Sequence, residues 1–318
     1  MQTDSKRKII LDCDPGHDDA IAILLAAASS KVELVGITTV AGNAELEKTT
    51  VNALKVCEIA GLTDTPVARG ARQPLVRPRE TAPAIHGESG LDGPSLPEPA
   101  KTVVGEHAVD FIIRLLLQSD GDITLVPTGP LTNIAMAMRR EPAILSKIRE
   151  IVLMGGGTFG NWTPAAEFNI YADAEAAKIV FESGVPLTMC GLDLTHQAMA
   201  TPAIRERIRQ IGNPVADFVV ELLDYFMQTY KEVFGMDGQL CAPIHDACCV
   251  AYCIDPTVFT TRRLRVDIET KGEFTYGMTV IDTAGVTGRP ANVNVAHRLD
   301  ADKFWNMLIE ALRSYSNR

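Results

Sequence analysis

The sequence predicts an α/β protein, a single large Rossmann-like domain with a mostly parallel central sheet flanked by helices. Short apolar runs alternate with longer helix-like segments along most of the 318 residues, and this alternation is typical of βαβ units. Clusters of acidic, amide and glycine residues follow several of these runs directly. Since ligands of parallel sheets bind beyond the carboxyl ends of the strands, we expect residues 1–318 to form one domain with its site there.

Strands are predicted where Val, Ile and Leu run continuously, because strands buried on both sheet faces lack polar alternation. In chain order they are Lys8–Leu11, Val32–Val40, Ile123–Val126, Ile151–Met154 and Val185–Met189. The longer segments between them are predicted to be helices, and the second shows apolar residues at helical spacing. They are Asp18–Ser29, Glu45–Ala60, His107–Gln118, Leu131–Arg139 and Ala174–Glu182.

A loop is predicted at residues 69–101, which contain six prolines and no sustained period. One polar island, His86-Gly-Glu-Ser-Gly90, lies within it. Loops of this length usually carry function or are disordered insertions. We expect this one to be an active-site loop.

The C-terminal third follows a different pattern. Pro214–Phe234 predicts a long amphipathic helix that leads through residues 235–239 to His245. Arg263–Arg298 alternates enough to predict strands, which we expect to form a small peripheral sheet. Ala301–Tyr315 predicts a closing helix.

The composition excludes several classes of protein. The 40 acidic and 30 basic side chains give a net charge of -10, and such a field repels nucleic acid backbones and anionic membrane surfaces. No run approaches the roughly 18 apolar residues of a membrane span, and the polar residues 1–8 lack the apolar core of a signal peptide. The seven cysteines are odd in number, which favours reduced thiols. We therefore expect a cytoplasmic protein that binds neither nucleic acid nor membranes.

The densest feature is a group of four carboxylates, Asp12, Asp14, Asp18 and Asp19, around a Pro-Gly turn after the first strand. Carboxylates this close in sequence repel one another unless a cation or a helix N-terminus compensates their charge. Helix capping explains one or two of them. The whole group favours a hard divalent cation with oxygen ligands, Ca²⁺ or Mg²⁺.

A second candidate is His245-Asp246, at the start of the apolar segment Ala247–Ile254. Histidine titrates near neutrality and suits general acid or base catalysis. A histidine beside a helix start is also typical of a capping or hydrogen-bonding group. The residues alone leave both interpretations open.

A third candidate is the segment Asn161–Asn169. Glu167 and Asn169 stand two residues apart, so in an extended segment they face one side and can hold sugar hydroxyls. Phe168 and Trp162 offer apolar surface for a ring, although an ordinary polar loop explains the same residues. The preceding Gly-Gly-Gly turn lacks P-loop and GxGxxG spacing, which argues against nucleoside triphosphates and NAD.

Together these motifs resemble the inosine–uridine-preferring nucleoside hydrolase family, and they occur in order along essentially the whole chain. The matching segments are Asp12-Cys-Asp14-Pro-Gly-His-Asp18-Asp19, Thr38-Thr-Val-Ala-Gly-Asn43, Ile85-His-Gly-Glu-Ser-Gly90, Pro127-Thr-Gly-Pro-Leu-Thr-Asn133, Val152-Leu-Met-Gly-Gly-Gly157, Ala166-Glu-Phe-Asn169, Gly191-Leu-Asp-Leu-Thr-His196 and His245-Asp246. The resemblance implies hydrolysis of the N-glycosidic bond of ribonucleosides to ribose and free base, with a tightly bound Ca²⁺.

The resemblance also implies a role for each matching residue. It implies that the calcium ligands are the side chains of Asp14, Asp19 and Asp246 and the main-chain carbonyl of Thr128. It implies that the ribose hydroxyls are held by four polar side chains, with two further ribose contacts, namely Asp18, Asn43, Glu167, Asn169, Met154 and Asn161. Asp12 would be a supporting carboxylate close to the metal.

Physical chemistry makes the implied roles coherent. Calcium takes six to eight oxygen ligands, so protein groups, two sugar hydroxyls and one water fit its shell. In the implied mechanism Asp14 takes a proton from the attacking water, the ribosyl group becomes oxocarbenium-like, and His245 protonates the leaving base. The loop that carries His86 closes over the base and excludes water.

Base recognition is implied to lie in this loop and in the helix near Tyr230 and Phe234, which stand four residues apart. His17 and Ser89–Gly93 resemble the bacterial pyrimidine-using branch. We therefore expect uridine and cytidine to be favoured and inosine to be accepted. The resemblance further implies a homo-oligomer, either a dimer or a tetramer.

Two other functions account for part of these residues. Asp12-x-Asp14 after an apolar strand resembles the nucleophile motif of haloacid-dehalogenase-type phosphatases, but that function gives Glu167 and His245 no role. A non-catalytic nucleoside-binding protein would keep the fold and the metal without turnover, because fold does not imply function. The presence of Asp14 and His245 argues against it.

Overall fold

The structure is a computed structural model that describes residues 6–235 and 239–317. The strands in these ranges are β1 (Arg7–Cys13), β2 (Val32–Thr39), β3 (Val67–Arg69), β4 (Ile123–Pro127), β5 (Ile148–Met154), β6 (Leu187–Cys190), β7 (Met199–Ala200), β8 (Ala242–Pro243), β9 (Phe259–Ile268), β10 (Thr279–Asp282) and β11 (Val293–Leu299). The α-helices are α1 (His17–Ala28), α2 (Leu46–Ile59), α3 (Pro83–His86), α4 (Ala108–Gln118), α5 (Thr132–Arg140), α6 (Phe168–Ala172), α7 (Ala174–Phe181), α8 (Leu192–Thr195), α9 (Pro202–Arg209), α10 (Pro214–Phe234), α11 (Ala247–Ile254) and α12 (Ala301–Ser314).

One nine-stranded sheet organises the described part of the chain, in the order β10-β9-β11-β6-β5-β4-β1-β2-β3, and β7 pairs separately with β8. Every neighbouring pair from β11 to β3 is parallel. Strand β9 is antiparallel to both β10 and β11. The predicted mostly parallel α/β fold is confirmed.

The sheet is buried on both faces, which explains the continuous apolar runs in the sequence. Along β1, Ile9 and Leu11 pack in one core cluster with α1, α10 and α11, whereas Ile10 packs in a second cluster with α4, α5 and α7. Alternate side chains of a strand point to opposite faces. All three residues are fully buried, so each face of β1 meets a layer of helices.

The predicted small peripheral sheet at Arg263–Arg298 is wrong. Strand β9 pairs with β11, and β11 pairs in parallel with β6, so these strands extend the central sheet. Val266 on β9 and Val293 on β11 are fully buried in the same core cluster as residues of β5 and β6. The apolar alternation is visible in the sequence, but pairing with a strand far earlier in the chain leaves no local pattern.

Other segments complete the comparison with the sequence predictions. The loop at residues 69–101 contains the short helix α3, and the apolar segment after His245 is the helix α11. The predicted connection through residues 235–239 lies partly outside the described residues.

All seven cysteines are described, and each is buried with a free thiol. Among the helices of the described ranges, none combines the length and apolarity needed to cross a lipid bilayer.

Candidate active site

The loops at the carboxyl ends of the parallel strands surround a cavity of about 320 Å³, which α3, α10 and the start of α11 close from the other side. Every side chain predicted to bind substrate lines this cavity: Asp18, Asn43, His86, Met154, Asn161, Glu167, Phe168, Asn169, Tyr230 and Phe234. Thr128, His245 and Asp246 line it as well. Asp14 and Asp19 lie behind this lining and are fully buried.

Three carboxylates meet at the polar end of the cavity. Asp18 and Asp19 occupy the first turn of α1, and Asp246 is the residue before α11. Because α1 packs against α11, one oxygen of each carboxylate lies within 4.8 Å of the other two. Burial raises the pKa of Asp18 to about 7 and the pKa of Asp246 well above its usual value. A positive charge is needed for all three to ionise together.

Asp14 lies next to this group. Its Oδ2 accepts a hydrogen bond of 2.6 Å from the main-chain N–H of Asn43, whereas its Oδ1 is buried without a partner among the described residues. Gly42 and Gly129 pack against the carboxylate so closely that a β carbon at either position would overlap it. Burial and the nearby charge of Asp19 raise the pKa of Asp14 well above its usual value. A buried carboxylate oxygen without a partner is costly, and a cation would satisfy it.

The atoms around Asp14 that could bind a metal ion are all oxygen atoms. Asp19 Oδ1 accepts a 2.8 Å hydrogen bond from the Thr128 hydroxyl, and Asp19 Oδ2 accepts one of 3.2 Å from Asn43 Nδ2. The Thr128 carbonyl accepts a hydrogen bond of 2.7 Å from Asn169 Nδ2. A carbonyl oxygen has a second lone pair, which could bind a cation. Carboxylate and carbonyl oxygens suit Ca²⁺ or Mg²⁺ and not thiolate-seeking metals. The residues present therefore fit a hard divalent cation.

Asp12 supports this group from within the sheet. Its Oδ1 accepts hydrogen bonds from the Thr38 hydroxyl at 2.6 Å and from Asn133 Nδ2 at 2.8 Å. Burial raises the pKa of Asp12 to about 7, although both hydrogen bonds lower it. Its Oδ2 has no partner among the described residues. Asp12 does not reach the cavity, so it can act there only through its neighbours.

Glu167 is held by main-chain donors. Its oxygens accept hydrogen bonds from the N–H groups of Gly156 at 2.9 Å, Asn169 at 2.9 Å and Ile170 at 3.1 Å, so the side chain caps α6. Burial raises the pKa of Glu167 to about 7. Asn161 Oδ1 accepts 2.9 Å from the Phe168 N–H, which leaves its amide group facing the cavity. The polar loop thus presents fixed acceptors and donors to a ligand.

Both ring nitrogens of His245 are occupied. Nδ1 lies 2.7 Å from the Thr195 hydroxyl, and Nε2 lies 2.7 Å from the Tyr230 hydroxyl. The histidine is 6% exposed, and burial lowers its pKa well below the usual value. Burial also raises the pKa of Tyr230 well above its usual value, which keeps its hydroxyl protonated. The hydroxyl of Tyr230 therefore contacts His245 Nε2, and both residues line the cavity.

Aromatic rings form part of the cavity wall. Tyr230 contacts Phe226 and Phe234, each with ring centroids 4.9 Å apart. Trp162 contacts Phe168 at the same centroid distance. These rings offer an apolar surface that suits a planar heterocycle.

The sequence reasoning missed two contributors to the cavity. Val233 lines it together with Tyr230, and its position three residues further along α10 is a helical spacing that predicts a shared face. Thr195 lies in a segment that matches the family, but no local signal pairs it with His245, 50 residues later. Only the packing of the folded chain brings them together.

A mostly parallel α/β sheet with buried carboxylates at its carboxyl edge, beside a cavity lined by aromatic rings, is the arrangement that the sequence resemblance to nucleoside hydrolases predicts. The chain belongs to the inosine-uridine preferring nucleoside hydrolase family, whose model matches residues 9–306. The family resemblance found in the sequence is confirmed.

Individual relatives cover nearly the whole chain. It is 50% identical over 312 residues to the pyrimidine-specific ribonucleoside hydrolase RihB of Escherichia coli, with 98% of both chains covered. The purine-preferring ribonucleoside hydrolase of Gardnerella vaginalis matches with a TM-score of 0.89 at 33% identity, covering 96% of this chain and 98% of that one. A plant nucleoside hydrolase, PpNRh1, has a TM-score of 0.89 at 30% identity, covering 97% and 99%. Because relatives named for different bases share this fold, the fold alone does not determine the base.

Proposed function

We propose that this enzyme uses Ca²⁺ to hydrolyse the N-glycosidic bond of pyrimidine ribonucleosides, uridine and cytidine ahead of inosine, and releases ribose and the free base. The observation that carries the proposal is one cavity that is lined by both buried carboxylates and aromatic rings. These two kinds of lining suit the two halves of a nucleoside, a sugar with hydroxyl groups and a planar base. The 50% identity to an enzyme named pyrimidine-specific supports the base preference.

The calcium ion would be held by Asp14, Asp19, Asp246 and the main-chain carbonyl of Thr128. The unpartnered Asp14 Oδ1 supports this assignment, as does the group in which carboxylate oxygens of Asp19 and Asp246 lie within 4.8 Å of each other and of one from Asp18. When bound, calcium supplies positive charge that lets these carboxylates ionise together and that lowers the pKa of an attacking water. Asp14 then accepts the proton of that water.

The ribose would lie between the carboxylates and the polar loop. Asp18, Asn43, Glu167 and Asn169 would hold its hydroxyls, and Met154 and Asn161 would contact the ring. Glu167 and Asn169 are fixed by hydrogen bonds to the protein before any ligand arrives. Fixed carboxylates beside the anomeric carbon stabilise the positive charge that develops as the bond breaks.

The leaving base would receive its proton from the pair formed by His245 and Tyr230, which both line the cavity and whose Nε2 and hydroxyl oxygen lie 2.7 Å apart. Sequence reasoning assigns this proton to His245, and the hydrogen bond adds Tyr230 as a second group through which it can pass. The pair would give up one proton as the base leaves and take one back from water afterwards.

We expect His245→Ala and Tyr230→Phe each to lower kcat for uridine by about 10²-fold, the usual contribution of a general acid. The double variant should be no slower than the slower single variant, because groups that act in series are not additive. The control substrate is 4-nitrophenyl β-D-ribofuranoside, whose phenolate leaves without protonation. Its kcat should hardly change. An equal loss on both substrates would argue that the two residues serve the fold and not the leaving group.

The base preference is tested by initial rates of ribose release from uridine, cytidine, inosine and adenosine at equal concentrations. We expect kcat/KM for uridine and cytidine to exceed that for inosine by at least about 10-fold, since a difference of 1.4 kcal/mol in transition-state binding gives that factor. Faster hydrolysis of inosine would reject the pyrimidine assignment while leaving the reaction class intact.

The remaining expectations from the sequence are part of this proposal. We propose a cytoplasmic homo-oligomer, a dimer or a tetramer. Seven buried free thiols support a reducing compartment. The highly exposed Phe274 and Val286 near the β9–β10 edge of the sheet support burial of that edge against another copy.

A further inference from the structure

His17 is a buried ring at the start of α1 that no role in the proposed reaction uses. It stacks almost parallel to Tyr225 and Phe226, with ring centroids 5.3 and 5.2 Å away. His86 stacks on it at 5.3 Å. His17 is fully buried and His86 is 6% exposed. The two imidazoles are therefore held side by side, with their Nδ1 edges facing each other.

The hydrogen bonds of these rings restrict where their protons can be. His17 Nε2 lies 2.8 Å from the main-chain carbonyl of Asp92, and a carbonyl only accepts. The proton of a neutral His17 is therefore on Nε2, and its Nδ1 carries a lone pair. That Nδ1 lies 3.1 Å from Nδ1 of His86.

A proton must lie between the two Nδ1 atoms, because two facing lone pairs at that distance repel each other. His17 is fully buried and its ring contacts no carboxylate among the described residues; because an unpaired buried charge is costly, His17 is neutral and has no second proton to offer. His86 supplies it. The main-chain N–H of His17 also approaches His86 Nδ1, at 3.4 Å. That contact would require an unprotonated Nδ1 on His86. It is longer than the contact between the two rings, so it is the weaker of the two.

We propose that His17 is a positioning residue that keeps the His86 proton on Nδ1, so that an unprotonated His86 Nε2 faces the cavity as a hydrogen-bond acceptor. His86 lines the cavity, and its Nε2 bonds no group in the described part of the chain. The ligand it accepts from is an N–H or O–H group of the nucleoside, which rests on the proposed function. His86 then takes a hydrogen bond from the substrate, while Tyr230 donates one.

The tautomer is measured directly by ¹⁵N NMR of the ligand-free protein labelled at histidine. The chain has six histidines, and His86→Gln assigns the His86 signals. We expect a protonated Nδ1 and an unprotonated Nε2 at His86. In His17→Phe the ring is kept but cannot accept a hydrogen bond from His86, so we expect the His86 proton to move to its Nε2. A protonated Nε2 in the wild type, or an unchanged tautomer in His17→Phe, would overturn the proposal.

Kinetics separate positioning from packing. We expect kcat/KM for uridine to fall about 5-fold in His17→Phe, the usual worth of one neutral hydrogen bond, and to recover in His17→Gln, whose amide oxygen can accept from His86 Nδ1. Equal losses in both variants would show a packing role and overturn the proposal. An enzyme inactive on every nucleoside would instead reject the proposed function, and the NMR experiment would still decide the tautomer.

Discussion

Replacing Asp14 with alanine is expected to lower kcat for uridine by about 10³-fold, within the range that a general base contributes. Asp14 Oδ1 is a buried carboxylate oxygen with no partner in the described ranges, and it lies beside the Asp18, Asp19 and Asp246 group. The variant loses both the proposed proton acceptor and one proposed ligand of the cation. Ribose release measured with calcium in excess reports the loss.

The same variant distinguishes a catalytic role of Asp14 from a structural one. We expect its kcat to fall, whereas its thermal stability should not. Removing one of four mutually repelling buried carboxylates relieves desolvation and repulsion. We therefore expect Asp14→Ala to unfold at the same temperature as calcium-stripped wild type or at a higher one. Asp302→Ala removes an exposed carboxylate on α12 and is the control that should keep full activity. Unchanged turnover in Asp14→Ala would reject its assignment as the base.

Removing calcium is expected to lower the thermal stability of the protein substantially. A ligand present at about 1,000 times its Kd adds about 4 kcal/mol to the free energy of unfolding, which raises Tm by roughly 6 °C in a protein of this size. Differential scanning calorimetry with calcium and after chelation measures the difference. Magnesium should restore less of the lost Tm than calcium does, because it requires a smaller octahedral coordination shell and retains its bound water molecules.

The loss of thermal stability on removal of calcium should be larger at higher pH. In the folded, calcium-free protein, burial raises the pKa of Asp18 to about 7 and that of Asp14 and Asp246 well above the usual value, whereas in the unfolded chain these groups titrate near about 4. Between these values the folded state binds more protons, so its free energy of unfolding falls as pH rises. Calcium should therefore raise Tm more at pH 8 than at pH 5. A calcium effect that is equal at both pH values would contradict the clustered carboxylates as its site.

The features that the sequence predicts well are local. Strand β1 and the Asp12 to Asp19 group can be predicted directly, because a buried parallel strand is a continuous apolar run and four carboxylates within eight residues favour a cation site. Helix α10 is predicted from its apolar spacing with the observed bounds. The family motifs then connect these local features to one activity.

The features that the sequence does not predict depend on contacts between distant segments. The partner of β11 is β6, about 100 residues away, so the strands of Arg263–Arg298 cannot be assigned to the central sheet from their own pattern. The bonds from His245 to Tyr230 and from His17 to His86 join separate elements in the same way. The segment Ala247–Ile254 is ambiguous for another reason, since a short apolar run suits a buried helix or a buried strand equally.

The most direct test of the account is ribose release from uridine by the purified enzyme, measured as isolated, after chelation, and after calcium is added back. We expect rapid release, loss of at least about 10²-fold on chelation, and recovery with calcium. Uracil should appear in an amount equal to ribose. Undiminished hydrolysis after complete removal of the metal, or no ribose from any nucleoside with calcium bound, would contradict the assignment of this site as a calcium-dependent nucleoside hydrolase.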